Sequence, residues 1–224
     1  MIRAVAWDID GTLIDSEPLH HEAMVQASLQ FGIDLRDLPS EAYQGVHMRD
    51  VWITLRDRFP QDMDKEVWMT AIEAYYDANR QRLRPIDGAV AVVRQLSELG
   101  VVQACVSNSR RVTVDANIAV LGIGENILFS VSLDDVDHGK PAPHPYRLAI
   151  RKIDLHHEEI IAIEDSETGA RSARTAGLKV VGYRIGKAAR EMIDWRIESL
   201  AEVLDVVSPG SPAVPDRLSQ TLKN

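Results

Sequence analysis

An apolar run from Ile2 to Trp7 stops abruptly at two carboxylates, Asp8 and Asp10, with Gly11 and Thr12 directly behind them. Such a run reads as a buried strand that ends in a pocket, with both acids at its C-terminal edge, where open α/β sheets put their ligands. Phosphoryl transfer is the chemistry that wants this pair. One carboxylate can attack phosphorus and form an acyl phosphate, splitting a hard step into two. The other can protonate the leaving oxygen and later take a proton from water. Gly11 lets the backbone turn sharply and approach a phosphate, and the Thr12 amide and hydroxyl could donate to its oxygens. Taken alone, the stretch also fits an ordinary acidic turn.

After Asp15 the apolar spacing becomes helical. Ser16 is placed to cap a helix with Pro18 in its first turn, and Leu19, Ala23, Ala27 and Phe31 share one face before Gly32. Helical patterns follow over 40–44, 47–59 and 63–83, with no strand between them. From Pro85 onward strands and helices alternate. Helices are predicted over 89–99, 111–121, 146–153 and 168–176, and strands over 101–106, 128–132, 160–163 and 179–183. Alternation of this kind implies an α/β fold, a doubly wound parallel sheet with helices on both faces. The expected organisation is a core domain of residues 1–15 and 84–207, an inserted helical cap domain of 16–83, and a flexible tail of 208–224.

Three further motifs fall at predicted strand ends. In VSNS, Ser107, Asn108 and Ser109 follow a strand and could hold phosphate oxygens, or cap the next helix. In GKPAPHPY, Lys140 precedes Pro141, Pro143 and Pro145. Lysines number six in the chain, and one fixed by a proline-rich turn could neutralise a nucleophile and a transferring phosphoryl group. The alternative is a solvated loop lysine. In IIAIEDS, a strand delivers Glu164 and Asp165 to its edge. With a phosphate substrate, hard oxygen ligands suit Mg²⁺, although the pair also fits a charged helix start with Ser166.

Composition narrows the partners. The chain carries 25 basic and 34 acidic residues, a formal charge of -9. That balance argues against nucleic acid or an anionic membrane. Cys105 is the single cysteine, so neither an internal disulfide nor a cysteine-based metal cluster can form, and its place in an apolar run makes it an inert strand residue. The apolar stretch after Arg3 is too short for a signal peptide, and no run approaches a membrane span. A soluble cytoplasmic protein, monomer or weak dimer, is the expectation.

In order, DIDGTLID, VSNS, GKPAP and IEDS resemble the four motifs of the haloacid dehalogenase superfamily, a likeness that extends from about Arg3 to Val207. The helical insertion resembles the cap of the subgroup containing phosphoglycolate phosphatases, sugar-phosphate phosphatases and beta-phosphoglucomutase. By that resemblance Asp8 is the nucleophile and Asp10 the general acid and base. Mg²⁺ is held by Asp8, the backbone carbonyl of Asp10 and Asp165, with Glu164 supporting from behind. Ser107 and Lys140 bind the transferring phosphoryl group, with Gly11, Thr12 and Asn108 around it. The implied activity is Mg²⁺-dependent hydrolysis of a small phosphorylated metabolite through an aspartyl phosphate.

Asp10 sorts the chemistry further, because dehalogenases and phosphonatases of the family lack this second acid. Phosphonatases also use a lysine in the cap, where this chain has only Lys65. Against the mutase alternative, VSNSRR with Arg110 and Arg111 does not closely match the mutase loop. In its favour, His20 and the stretch from Gly45 to Arg49 resemble the mutase cap, where an arginine reads a distal phosphate. Glu17, His20, His47 and Arg49 are therefore the expected cap contacts to substrate. Two departures from the family pattern are Ile86 and Asp87 before Gly88, and His144 where an acid is common. A phosphorylation-dependent switch is a third reading, but a switch needs neither a leaving-group acid nor a lid.

Overall fold

The computed structural model describes residues 1–39, 43 and 48–207, except for the side chain of Arg49. The predicted helix over 40–44, apart from Tyr43, the side chains of His47 and Arg49, and the tail of 208–224 lie outside the described residues. The first strand, β1, is Ala4–Trp7. A two-residue strand β2, Ile14–Asp15, leads into the helices α1, Glu17–Gln30, α2, Met48–Thr54, and α3, Lys65–Asn79. The chain returns through β3, Arg84–Pro85. The remaining elements are α4, Ala89–Glu98, β4, Val102–Val106, α5, Arg111–Leu121, β5, Phe129–Val131, and α6, His144–Ile153. They are followed by β6, Ile160–Glu164, α7, Glu167–Thr175, β7, Lys179–Tyr183, β8, Trp195–Ile197, and α8, Val203–Val207.

Six strands form one parallel sheet in the order β5-β4-β1-β6-β7-β8. The chain thus winds outward from β1 in both directions, and the switch point where an α/β sheet opens a crevice lies at the carboxyl ends of β1, β4 and β6. Alternation along β1 assigns its two faces. Val5 and Trp7 pack toward α4, α5 and α8, whereas Ala4 and Ala6 pack toward α6 and α7. Successive strand side chains point to opposite faces, so a run buried on both sides must be apolar throughout, as this one is. Small alanines on the second face let α6 and α7 approach, through Tyr146, Ala149, Ala170 and Ala173.

Sequence pattern did not reveal the ribbon at the base of the insertion. β2 and β3 pair antiparallel, Ile14 with Pro85 and Asp15 with Arg84, and Ile86 N–H donates to Leu13 O at 2.9 Å. Two-residue strands carry no periodicity to read. β8 and α8 were also missed, and the predicted helix over 63–83 ends at Asn79 followed by a 3₁₀ turn, Arg80–Arg82. Within the insertion, Trp68, Ile72 and Tyr76 recur every four residues on the buried face of α3. Trp52, Phe59 and Trp68 form an aromatic cluster with ring separations of 4.6 to 5.4 Å. The Trp68 indole donates to Ser28 Oγ at 2.9 Å, which ties α3 to α1. Among the described residues no helix is long and apolar enough to cross a membrane.

Candidate active site at the carboxyl edge of the sheet

Asp8 follows β1, and the chain then turns tightly, with Leu13 N–H donating to Ile9 O at 2.8 Å and Gly11 N–H to Ile14 O at 2.9 Å. Gly11 has φ +81, and a Cβ there would stand 2.2 Å from Asp165 Oδ2. A side chain is excluded on both counts, so this glycine is what brings the first loop against the loop after β6. Thr12 is fully buried, its amide 3.3 Å from Ile9 O and its hydroxyl 3.5 Å from Asp165 Oδ1.

Lys140 crosses from the loop after β5 to the centre of the site. Its ammonium donates to Asp8 Oδ1 at 2.6 Å, Glu164 Oε1 at 2.6 Å and Val106 O at 2.8 Å, which uses all three protons. It is 5% exposed, so the reading as a solvated loop lysine fails. Burial acts against its charge, and the facing carboxylates of Asp8 and Glu164 outweigh that and push its pKa up. Asn108 holds the lysine backbone from both sides, Nδ2 donating to Lys140 O at 2.9 Å and Oδ1 accepting from Lys140 N–H at 2.6 Å. Its side chain thereby positions Lys140, with one amide proton and one lone pair still available. Glu164 is fully buried as the last residue of β6, accepts from Tyr146 Oη, and has no partner for Oε2 among the described residues.

Asp10 gathers several side-chain hydrogen bonds from the protein. Oδ1 accepts from Ser16 Oγ at 2.7 Å and Asn117 Nδ2 at 3.0 Å, with His20 Nε2 at 3.4 Å. Oδ2 accepts from Ser107 Oγ and Ser109 Oγ, both at 3.0 Å. Burial opposes the charge, but the bonds from His20, Ser16 and Ser107 prevail and hold the carboxyl well below the usual range. Asp8 shifts the other way. Burial raises it, Lys140 lowers it, and the neighbouring Glu164, Asp165 and Asp10 raise it further. His20 is raised, since Asp10 and Glu17 together outweigh its desolvation.

Asp8, Glu164 and Asp165 each offer a carboxylate oxygen, all within 4.8 Å of one another. Three acids meet there with one lysine among them, Glu164 Oε2 is orphaned, and Asp165 is raised first by burial and then by Glu164. A hard divalent cation fits this all-oxygen donor set and the excess negative charge.

The structure brings together Asp8, Asp10, Gly11, Thr12, His20, Ser107, Asn108, Lys140, Glu164 and Asp165. Glu17 is half-buried in the first turn of α1, close enough to raise both His20 and Asp165. Ser16 does not cap α1 with its side chain, because its hydroxyl is turned onto Asp10. Arg110 and Arg111 are engaged elsewhere. Arg110 lies 3.5 Å from Glu66 and 3.3 Å from Glu73 on α3, and 3.4 Å from Asp134, while Arg111 pairs with Asp115 and Asp135. His144 opens α6 and lies 5.2 Å from His138, ring to ring. Ser109, read from sequence as a possible phosphate donor, donates here to Asp10, whereas Ser16, Asn117, Tyr76 and Tyr146 were not singled out from sequence as site residues. Asn117 alone left a signal, a polar residue on the apolar, buried stripe of Val114 and Leu121.

Acids, hydroxyls and a lysine gathered at the carboxyl ends of the central strands of a parallel sheet define an α/β enzyme site. The chain belongs to the haloacid dehalogenase-like hydrolases, whose family profile matches residues 5–183. It is 28% identical to the phosphoglycolate phosphatase of Neisseria meningitidis over 93% of this chain and 94% of that protein. It is also 28% identical to the glyceraldehyde 3-phosphate phosphatase of Methanopyrus kandleri, over 92% and 97%. Among solved structures, CbbY from Rhodobacter sphaeroides in complex with phosphate superposes with a TM-score of 0.81 at 26% identity, over 91% of this chain and 96% of that one. A point mutant of that protein in complex with xylulose-(1,5)bisphosphate gives 0.80 at 25%, over 90% and 96%.

Proposed function

We propose that this hydrolase is a Mg²⁺-dependent phosphatase of a small phosphorylated metabolite, acting through an aspartyl phosphate on Asp8. The observation that carries the reading is the buried Lys140 ammonium held 2.6 Å from Asp8 and from Glu164. A fixed cation beside a carboxylate is what lets that carboxylate meet a dianionic phosphoryl group. The relatives named for phosphoglycolate and glyceraldehyde 3-phosphate, and the bisphosphate bound to a structural relative, support a small phosphate ester as substrate.

In the first half-reaction an Asp8 oxygen attacks phosphorus and the ester P–O bond breaks. Asp10, which its hydrogen-bond donors keep ionised before substrate binds, takes up a proton as the anionic phosphate enters beside it and gives that proton to the leaving oxygen. In the second, water attacks the phosphorus, Asp10 takes its proton, the bond from phosphorus to Asp8 breaks, and inorganic phosphate departs. Ser107 and Lys140 bind the transferring phosphoryl oxygens, within a loop framed by Gly11, Thr12 and Asn108. Mg²⁺ held by Asp8, the Asp10 carbonyl and Asp165, with Glu164 behind them, would neutralise phosphoryl charge. Residues 16–83 act as a cap that excludes water, and Glu17, His20, His47 and Arg49 are its contacts to substrate. Phosphate monoesters require up to ~10²¹-fold acceleration. One well-placed electrostatic donor supplies about 10²- to 10³-fold, so the groups must act together.

Release of inorganic phosphate from a panel of sugar phosphates, phosphoglycolate and nucleotides, with Mg²⁺ and with chelator, tests the reading. Fast Mg²⁺-dependent release from a few members is expected. A folded, metal-loaded protein that releases none overturns it, and isomerisation of hexose 1-phosphates then tests the mutase reading.

A further inference from the structure

We propose that Asn117 and Tyr76 are positioning residues for the leaving-group acid, and that they orient Asp10 only while α3 is seated against α5. The inference rests on Asp10 being that acid. Neither residue belongs to a motif. Asn117 lies on α5 behind the sheet edge, and Tyr76 on α3 of the helical insertion; they are 0% and 1% exposed. Asn117 Nδ2 donates to Asp10 Oδ1 at 3.0 Å, and Asn117 Oδ1 accepts from Tyr76 Oη at 2.8 Å.

The Tyr76 ring also stacks on His20, with centroids 4.4 Å apart and planes 24° from parallel, and His20 Nε2 lies 3.4 Å from the same Asp10 oxygen. Four side chains thus close a ring, with Asp10 and Asn117 on the sheet side and His20 and Tyr76 on the insertion side.

Chemistry fixes the direction of the chain. An amide presents a donor on one end and an acceptor on the other. Turned over, Asn117 would aim its carbonyl at the Asp10 carboxylate, and two acceptors would face each other in a buried place. The Tyr76 hydroxyl, protonated at neutral pH, supplies the proton that Oδ1 needs in the observed sense. Displacing α3 from α5 removes that donor, opens the Asn117 carbonyl to water and so removes the preference that keeps the amide aimed at Asp10. Proper aim of the acid is thereby linked to a seated insertion.

Tyr76→Phe removes the hydroxyl and keeps the ring on His20. Single-turnover release of the alcohol or phenol is measured from benzyl phosphate and from p-nitrophenyl phosphate, with Mg²⁺ saturating. Benzyl alcohol needs a proton to leave, whereas p-nitrophenol does not. Asp10→Asn is the reference and should slow the benzyl ester far more than the nitrophenyl ester, since a general acid supplies about 10²- to 10⁴-fold.

Tyr76→Phe is expected to show the same split on a smaller scale, about tenfold, with KM for benzyl phosphate changing less than twofold. If Asp10→Asn slows both esters equally, the acid role itself falls. If Asp10→Asn splits the esters and Tyr76→Phe slows both equally or neither, the positioning role alone is overturned. Should Tyr76→Phe fail to fold, Asn117→Ser is read by the same criteria.

Discussion

Lys140 Nζ lies 2.6 Å from Asp8 Oδ1 although 132 residues separate the two in the chain. The contact pairs the loop after β5 with the loop after β1 and leaves both groups almost without solvent. Lys140→Met should lower kcat by about 10²- to 10³-fold, the scale of one lost electrostatic donor. Asp8→Asn should abolish turnover with the fold intact, because it removes a carboxylate whose charge burial disfavours. Circular dichroism and steady-state phosphate release check both, and retained turnover in Asp8→Asn would disprove the nucleophile.

The trio of Asp8, Glu164 and Asp165 should make stability respond to metal. Mg²⁺ is expected to raise Tm, and chelator to reverse the gain. Asp165→Asn should raise Tm without metal, since burial and Glu164 make its charge unfavourable, and should erase the gain from Mg²⁺. A thermal shift unaltered in size by that substitution would remove Asp165 from the donor set.

Glu22 on α1 accepts from Tyr75 on α3 at 2.7 Å and from both terminal nitrogens of Arg82 at 2.8 and 2.6 Å. The Arg82 and Tyr75 bonds lower its pKa from 4.5 to about 2. The depressed value means that its stabilisation is complete above pH 4.5 and lost as pH falls toward 2. Its partial exposure limits the effect to at most about 1 kcal/mol. Urea unfolding should find Glu22→Gln less stable than the parent at pH 6, with the difference closing toward pH 2. A constant difference would refute the assignment.

Gly169 sits in α7, where alanine is ordinarily the better helix former by about 1 kcal/mol. Here a Cβ would stand 1.8 Å from Glu164 Oε2. Gly169→Ala should therefore destabilise by about 1–3 kcal/mol, as overpacking does, and reduce turnover by displacing Glu164 from Lys140. A variant as stable as the parent in urea would show that Glu164 has room to move.

What the sequence itself determined is local. The run ending at Trp7 had to be a strand, buried on both faces over Ala4–Trp7, the spacing over 63–83 had to be helical, and acids and hydroxyls after strands had to fall on one edge of a parallel sheet. These follow from two periodicities and from strand polarity, which are read within a dozen residues. What only the tertiary structure decided is which partner each polar atom takes. Ser16 looked like a helix cap and donates to Asp10, Asn108 also clamps the Lys140 backbone, and Tyr76, which no sequence motif contains, donates to Asn117. A hydrogen bond depends on angstrom-scale placement of groups from distant segments, and a buried polar group takes whatever partner the packing sets beside it. Residue type fixes how many bonds a side chain can make, and only the folded chain fixes with whom.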